Sequence, residues 1–240
     1  MSVLPAPRVL SPKRLANAAV LGGWAFLFCF LLVTDRTALY LSTRTAWVVP
    51  VGAAILTLAF LGRVMSMRSA HEESFTRTEA AGYLVLILPV IVVLVLPPTA
   101  LSSYAASRRS SIFGAGFVTS AGDVESGDLS LIDLAGAMRT EEGRTALAGR
   151  AGDSVTFTGF VSRDAGTPAD EFTLTRFVVS CCVADALSIQ VRVASVPPGK
   201  FAKDQWVRVT GNFYPLAEEA IVDATEIVAV KRPQRPYISP

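Results

Sequence analysis

Three long runs of apolar residues in the first hundred positions most constrain what this chain can fold into. They are residues 15–33, 46–62 and 80–96, and none of them contains Asp, Glu, Lys, Arg or His. A helix needs roughly 20 apolar residues to cross the core of a bilayer, whereas a typical strand is far shorter. The runs therefore predict three transmembrane helices in a membrane region of residues 1–98.

Basic residues flank these runs unevenly and predict an orientation. Cytoplasmic loops of membrane proteins carry an excess of Lys and Arg. The N-terminal tail and the second loop hold six basic residues against two in the first loop: Arg8, Lys13, Arg14, Arg63, Arg68 and Arg77 against Arg36 and Arg44. We therefore expect a multi-pass protein of the cell membrane with a cytoplasmic N-terminus and an extracytoplasmic C-terminal domain. Arg108 and Arg109 argue mildly against this orientation.

The composition changes after the third run. Residues 99–127 are rich in Pro, Ser, Gly and Asp, which is typical of a linker. Residues 128–235 have the mixed composition of a soluble domain. Helical spacing of apolar residues predicts a short helix from Leu131 to Met138 with Ser130 as its cap. A second helical turn is expected near residues 141–147.

Beyond Gly152 the apolar residues recur with a period of two, which predicts strands. Five segments show this pattern: residues 153–163, 171–182, 187–195, 204–215 and 219–232. Five short strands in so few residues favour a small antiparallel barrel of the oligonucleotide/oligosaccharide-binding (OB) type, with a β-sandwich as the alternative. Gly159 and Gly211 fall where a barrel strand must bend sharply. The expected fold is thus a membrane α-helical N-terminal region followed by an all-β C-terminal domain containing a five-stranded OB-like barrel.

Adjacent cysteines at Cys181 and Cys182 are the main candidate site, and three interpretations stay open. If the strand continues through them, the thiols point to opposite faces and act as small buried hydrophobes. If the strand ends there, a turn through Asp185 brings both thiols and a carboxylate to one rim, a donor set that suits Zn²⁺. Thiol redox chemistry is a third use of the pair. Cys29 lies within the first run, where packing is its expected role.

Several other functions are disfavoured by the residues present. The segment His71-Glu72-Glu73 begins like a zinc-protease helix but lacks the second histidine, so it is only a weak metal candidate. The chain contains one histidine, which leaves Ser180 without a base in its own domain and argues against a serine hydrolase. A net charge of +2 and sparse lysine in the barrel argue against nucleic-acid binding.

The run "TRFVVSCCVADALSIQVRV", the preceding "LPPTALSS" and the order of helices and barrel resemble the YcgQ-like family of permease subunits. The most specific part of the resemblance is "SCCVADA", residues 180–186. It implies a bacterial membrane protein that works beside a YcgR-type permease, in a family partly linked to zinc-responsive regulation. Many relatives carry a histidine-rich loop between the second and third spans, whereas this chain keeps only His71 there.

These observations lead us to expect a non-enzymatic accessory subunit of a membrane permease. Because the predicted spans carry no strongly ionisable residue, we expect the partner to form the transport pathway. The sharper expectation is that Cys181, Cys182 and Asp185 hold a divalent metal such as zinc, with water, a second copy or the permease as the missing ligand. A membrane-anchored thiol redox protein and a structural scaffold are the alternatives.

Overall fold

A computed structural model describes most of the chain. The described residues are 9–10, 12–66, 68–69, 76–96, 99–108, 122, 124, 128–216 and 219–239. The candidate His71 lies outside them. The chain forms two compact units, one of residues 1–37 and 45–99 and the other of residues 38–44 and 100–240.

The first unit contains three long helices: α1 (Pro12–Val33), α2 (Val48–Met65) and α3 (Arg77–Val95). Each is long and apolar enough to cross a membrane, which confirms the expected helical membrane region. Thr76 caps α3, since its side chain accepts the Glu79 N–H while the Glu79 side chain accepts the Thr76 N–H. The helix ends just before Pro97 and Pro98, which disfavour a helical residue ahead of them.

Close contacts at glycine hold the three helices together. A Cβ at Gly22 would lie 2.9 Å from the ring of Phe60 on α2, and one at Gly52 would lie 2.6 Å from the ring of Phe28 on α1. Small residues allow helices to approach closely in a membrane, where the hydrophobic effect does not drive them together. The hydroxyl of Tyr83 on α3 also donates to Asn17 Oδ1 on α1 at 2.9 Å.

Short helices precede the barrel in the described part of the chain, among them α4 (Ser103–Ala106), α5 (Leu131–Ala137) and α6 (Glu141–Gly149). The predicted Ser130 cap is confirmed, because its hydroxyl accepts the Asp133 N–H and the Asp133 carboxylate accepts the Ser130 N–H. The sequence did not predict α4, which falls in the stretch read as a linker. Val124 in the same stretch is fully buried in the main core.

Five strands form a closed barrel: β1 (Ser154–Ser162), β2 (Phe172–Val178), β3 (Leu187–Ala194), β4 (Trp206–Pro215) and β5 (Ala220–Ala229). Their order around the barrel is β1-β2-β3-β5-β4, and β4 returns to pair with β1. All pairs are antiparallel except β3 with β5. The predicted five-stranded barrel is therefore confirmed, and the β-sandwich is not formed.

Two glycines allow the barrel to close, as their positions predicted. A Cβ at Gly159 on β1 would lie 2.6 Å from the carbonyl oxygen of Thr175 on β2. A Cβ at Gly211 on β4 would lie 2.2 Å from the carbonyl oxygen of Asp223, at an irregularity in the pairing of β4 with β5. Only glycine leaves room for such a close approach of two backbones.

Candidate metal centre

The second barrel strand ends before the adjacent cysteines. Strand β2 stops at Val178, and a single 3₁₀ turn follows at Val183–Asp185. Cys181 and Cys182 therefore lie in the loop of residues 179–186, which we name the cysteine loop. The alternation of strand side chains thus does not direct their thiols to opposite faces. Cys181 is exposed and Cys182 is partly buried.

The carboxylate of Asp185 organises this loop by accepting three backbone N–H groups. Its Oδ1 accepts from Ser180 at 3.0 Å, and its Oδ2 accepts from Cys181 at 2.7 Å and from Cys182 at 3.1 Å. Hydrogen bonds from backbone amides to an ionised carboxylate are among the stronger ones in proteins. Asp185 thus curls the backbone around itself, which places both thiols beside its carboxylate.

The three side chains have the spacing of a metal site. Sulfur atoms of Cys181 and Cys182 and a carboxylate oxygen of Asp185 all lie within 4.8 Å of one another. Ligands of a tetrahedral zinc ion stand about 3.8 Å apart when the Zn–S distance is about 2.3 Å. A carboxylate has about four lone-pair positions, and Asp185 uses three of them in the loop. One position remains on Oδ1, so the donor set fits a thiolate-binding dication.

Electrostatics of the cluster favour a bound cation over two free thiolates. The pKa of Cys181 is raised, first by its hydrogen bond to the Cys182 side chain and then by charge on Cys182, with smaller contributions from burial and Asp185. Neighbouring negative charge disfavours ionisation of a second thiol. A dication at this point would reverse that effect, because it stabilises both thiolates.

A segment distant in sequence holds the cysteine loop from one side. It belongs to residues 38–44, between α1 and α2, and it forms an antiparallel bridge from Leu41 to Cys182. The Ser42 N–H donates to the Cys181 carbonyl at 3.1 Å, and the Ser42 hydroxyl donates to the Ser180 carbonyl at 2.8 Å. Ser42 is only 3% exposed, so these bonds are shielded from water. We name residues 38–44 the clamp segment.

The C-terminal tail holds the loop from its other end. Ile238 accepts the Val179 N–H and donates its own N–H to the Phe177 carbonyl, both at 2.9 Å. Arg176 anchors the same tail, since its guanidinium donates to the carbonyl oxygens of Arg235 and Pro236 at 3.4 Å. Burial lowers the pKa of Arg176. The tail and the clamp segment together fix both ends of the cysteine loop.

The structure brings the predicted ligands Cys181, Cys182 and Asp185 together. Cys29 is an exposed residue of helix α1 in the other unit. Sequence reasoning missed the clamp segment and the tail, because their backbone atoms make most of the contacts. Backbone hydrogen bonds leave no signature in residue type, so no motif could have revealed them.

Comparison with known proteins finds a family match in the part of the chain that contains the barrel. Residues 144–240 match the family model described as the DUF1980 C-terminal domain. A search of curated proteins returns no match. The matched region includes the barrel, the cysteine loop and the tail that holds it. Residues 144–240 are thus similar to the DUF1980 C-terminal domain, and they follow three helices able to cross a membrane.

Proposed function

We propose that this protein is a membrane-anchored accessory subunit that presents a divalent metal, with zinc as the best fit, to a partner permease. The observation that carries the proposal is the cluster of Cys181, Cys182 and Asp185 on a loop of the barrel. Zinc takes four ligands in most protein sites, and the cluster offers three. Water, a second copy of the chain or the permease supplies the fourth.

The exposure of the cluster suits transfer of a metal better than storage. Structural zinc sites are closed by four protein ligands, whereas sites with an open position exchange or react. Cys181 is exposed to solvent, so an incoming ligand from a partner has a path to the metal. The resemblance to a family of permease subunits points to a permease as that partner.

An accessory role also follows from the apolar helices. The predicted spans at residues 15–33, 46–62 and 80–96 contain no Asp, Glu, Lys, Arg or His. Ion and substrate pathways in membranes are usually marked by such residues. We therefore assign the transport step to the partner and the anchoring of the barrel to α1, α2 and α3.

The clamp segment supports a topology in which the first loop and the barrel lie on the same side of the membrane. Three crossings place the first loop and the C-terminal domain on the same side of the membrane, which the bonds between Ser42 and the cysteine loop require. The distribution of basic residues assigns the N-terminus to the cytoplasm. On this basis the metal cluster faces the outside of the cell.

A thiol redox function is the alternative, and the raised pKa of Cys181 disfavours it. The thiolate is the reactive form of cysteine, and redox-active cysteines usually have a lowered pKa. A disulfide between adjacent residues also closes a strained ring. A bound dication offsets the raised pKa because it stabilises the thiolates, whereas thiol exchange has no such compensation, so metal binding is favoured.

The test uses full-length protein purified in detergent under reducing conditions. Bound zinc is measured by elemental analysis, and affinity is measured by competition with a chromophoric chelator. We expect one zinc per chain in the wild type and a loss of at least tenfold in affinity in Cys181→Ser and Cys182→Ser. Cys29→Ser is the matched control, because it removes a thiol outside the cluster and should leave zinc binding unchanged.

Two results would contradict the metal site. One is an affinity for zinc that is the same in the wild type and in both cysteine variants. The other is a mixed disulfide that forms readily with a small-molecule disulfide at neutral pH, together with no measurable zinc, which would favour the redox alternative.

A further inference from the structure

A small polar recess lies between helix α4 and the barrel, separate from the cysteine loop. Its volume is about 50 Å³, and its lining includes Ser103 of α4, Ser162 at the end of β1, and the basic residues Arg163 and Lys203. The recess shares Asp164, Thr173 and Gln190 with a larger cleft of about 540 Å³ on the outer face of β2 and β3.

Two polar atoms in this lining lack a hydrogen-bond partner. Among the described residues, Ser103 Oγ and Arg163 Nη2 are the buried side-chain atoms in this condition. Ser103 is 4% exposed, and its N–H is fixed by the Asp204 carboxylate at 2.6 Å. Buried polar groups have a hydrogen-bond partner in nearly all native structures. Two buried donors without a partner in the same recess therefore indicate a bound group there.

The guanidinium of Arg163 is held in place by an aromatic ring. Its central carbon lies 5.9 Å from the centre of the Phe172 ring, and Phe172 is fully buried at the start of β2. A cation above a ring face is attracted by the ring's negative face. Because the Phe172 ring is buried in the core, Arg163 would lose this contact if it left the recess.

The charge and size of the recess define what it can accept. Arg163 and Lys203 contribute two positive charges to the lining and Asp164 contributes one negative charge, while the nearby Asp204 carboxylate is engaged by the Ser103 N–H. Guanidinium and ammonium groups only donate hydrogen bonds, and the serine hydroxyl can donate as well. A cavity needs roughly 10–15 Å³ of such volume to hold one water molecule, so the recess of about 50 Å³ has room for a small group of a few non-hydrogen atoms. These properties match a small monovalent anion that accepts hydrogen bonds.

We propose that this recess binds a carboxylate-sized monovalent anion, with Arg163 Nη2 and Ser103 Oγ as its buried donors. The anion is either a free ion or the carboxylate of a larger polar molecule whose remainder lies in the adjoining cleft. This site does not depend on the metal cluster, since it uses different residues on a different part of the barrel.

The test uses full-length protein in detergent, with formate as the probe for the recess alone and N-acetylglycine as a carboxylate on a larger body. The midpoint of thermal unfolding is followed by near-ultraviolet circular dichroism at constant ionic strength, balanced with a bulky buffer sulfonate. We expect a saturable rise of the midpoint with formate. Arg163→Gln and Ser103→Ala should weaken this dependence at least tenfold, and Arg208→Gln, an exposed arginine of β4, should retain it.

Line broadening of ¹³C-formate in nuclear magnetic resonance provides a second readout if Arg163→Gln unfolds too easily to be compared. Tighter binding of N-acetylglycine than of formate would support the site and identify a larger molecule as the source of the carboxylate. No saturable effect of either probe, or the same effect in Arg163→Gln, would overturn the proposal and leave water as the occupant.

Discussion

Cys181 carries a thiol whose chemistry depends on its neighbours. Its pKa is raised mainly by the hydrogen bond to Cys182 and by charge on Cys182. A metal must displace the proton from this thiol, so binding becomes tighter as the pH rises toward the raised pKa. Below that pKa, the affinity should increase by about tenfold per pH unit for each proton displaced.

We therefore predict that zinc affinity increases between pH 6 and pH 8, and that Cys181→Ser reduces the slope by about one proton. Competition with a chelator of known pH dependence gives the slope, and calorimetry in buffers of different ionisation enthalpy counts the protons released. A slope that is identical in the wild type and in Cys181→Ser would mean that Cys181 does not ionise on binding.

Asp185 is the second residue with a specific expected effect. An asparagine at this position keeps one acceptor oxygen, so Asp185→Asn must lose at least one of the three bonds to Ser180, Cys181 and Cys182. We predict that the loop becomes less stable by about 1–3 kcal/mol. Hydrogen exchange read by mass spectrometry should show about 10- to 100-fold faster exchange of these amides, at 1.4 kcal/mol per factor of ten.

Asp170→Asn is the control for this change, since Asp170 is an exposed acidic residue in the loop between β1 and β2. Its exchange pattern at the cysteine loop should equal that of the wild type. Equal exchange in Asp185→Asn as well would show that the carboxylate does not hold the loop.

At the scale of single elements, β4 depends on Gly211. A Cβ at this position would lie 2.2 Å from the carbonyl oxygen of Asp223, and backbone on both strands would have to move. We predict that Gly211→Ala destabilises the barrel by about 2–4 kcal/mol, in the range of severe overpacking. Urea unfolding of the detergent-solubilised protein measures the effect. Gly166→Ala, where a Cβ meets open space, should change stability little, and equal stability of the two variants would contradict the close approach.

The clamp segment is a further element with a distinct expected effect. Ser42→Ala removes the hydroxyl bond to Ser180 in a site that is shielded from solvent, and it leaves the Ser180 carbonyl with one partner fewer. We predict a several-fold loss of zinc affinity, because the loop then samples conformations in which the three ligands are apart. The chelator competition described above measures it. Ser154→Ala on the exposed start of β1 is the matched control, and an unchanged affinity in Ser42→Ala would exclude a role for the clamp segment.

At the scale of the whole molecule, the proposed orientation predicts which positions are accessible from outside the cell. In a variant without native cysteines, Glu226→Cys on β5 should react with a membrane-impermeant maleimide in intact cells. Ser66→Cys, just after α2, should react only after the membrane is permeabilised. Labelling of Ser66→Cys and protection of Glu226→Cys in intact cells would reverse the orientation.

Much of the architecture follows from local sequence patterns. Helices α1, α2 and α3 could be predicted because apolar runs of that length and without charge have one stable form in a bilayer. The five barrel strands could be predicted from the period of two, and Gly159 and Gly211 from the need for sharp bends. Helix α4 could not, because four residues without apolar periodicity carry no helical signal.

The sequence by itself determined the residue types at the candidate site, namely two thiols and a carboxylate within five positions of the chain. It left open whether β2 continued through Cys181 and Cys182, because the apolar alternation of residues 171–182 fits either outcome. Tertiary structure decided this point. Backbone bonds from the clamp segment and from Ile238, together with the carboxylate of Asp185, take up the amides that a longer β2 would have paired with its neighbours. Such bonds join residues far apart in the chain and do not depend on side-chain identity, so only the folded structure could reveal them.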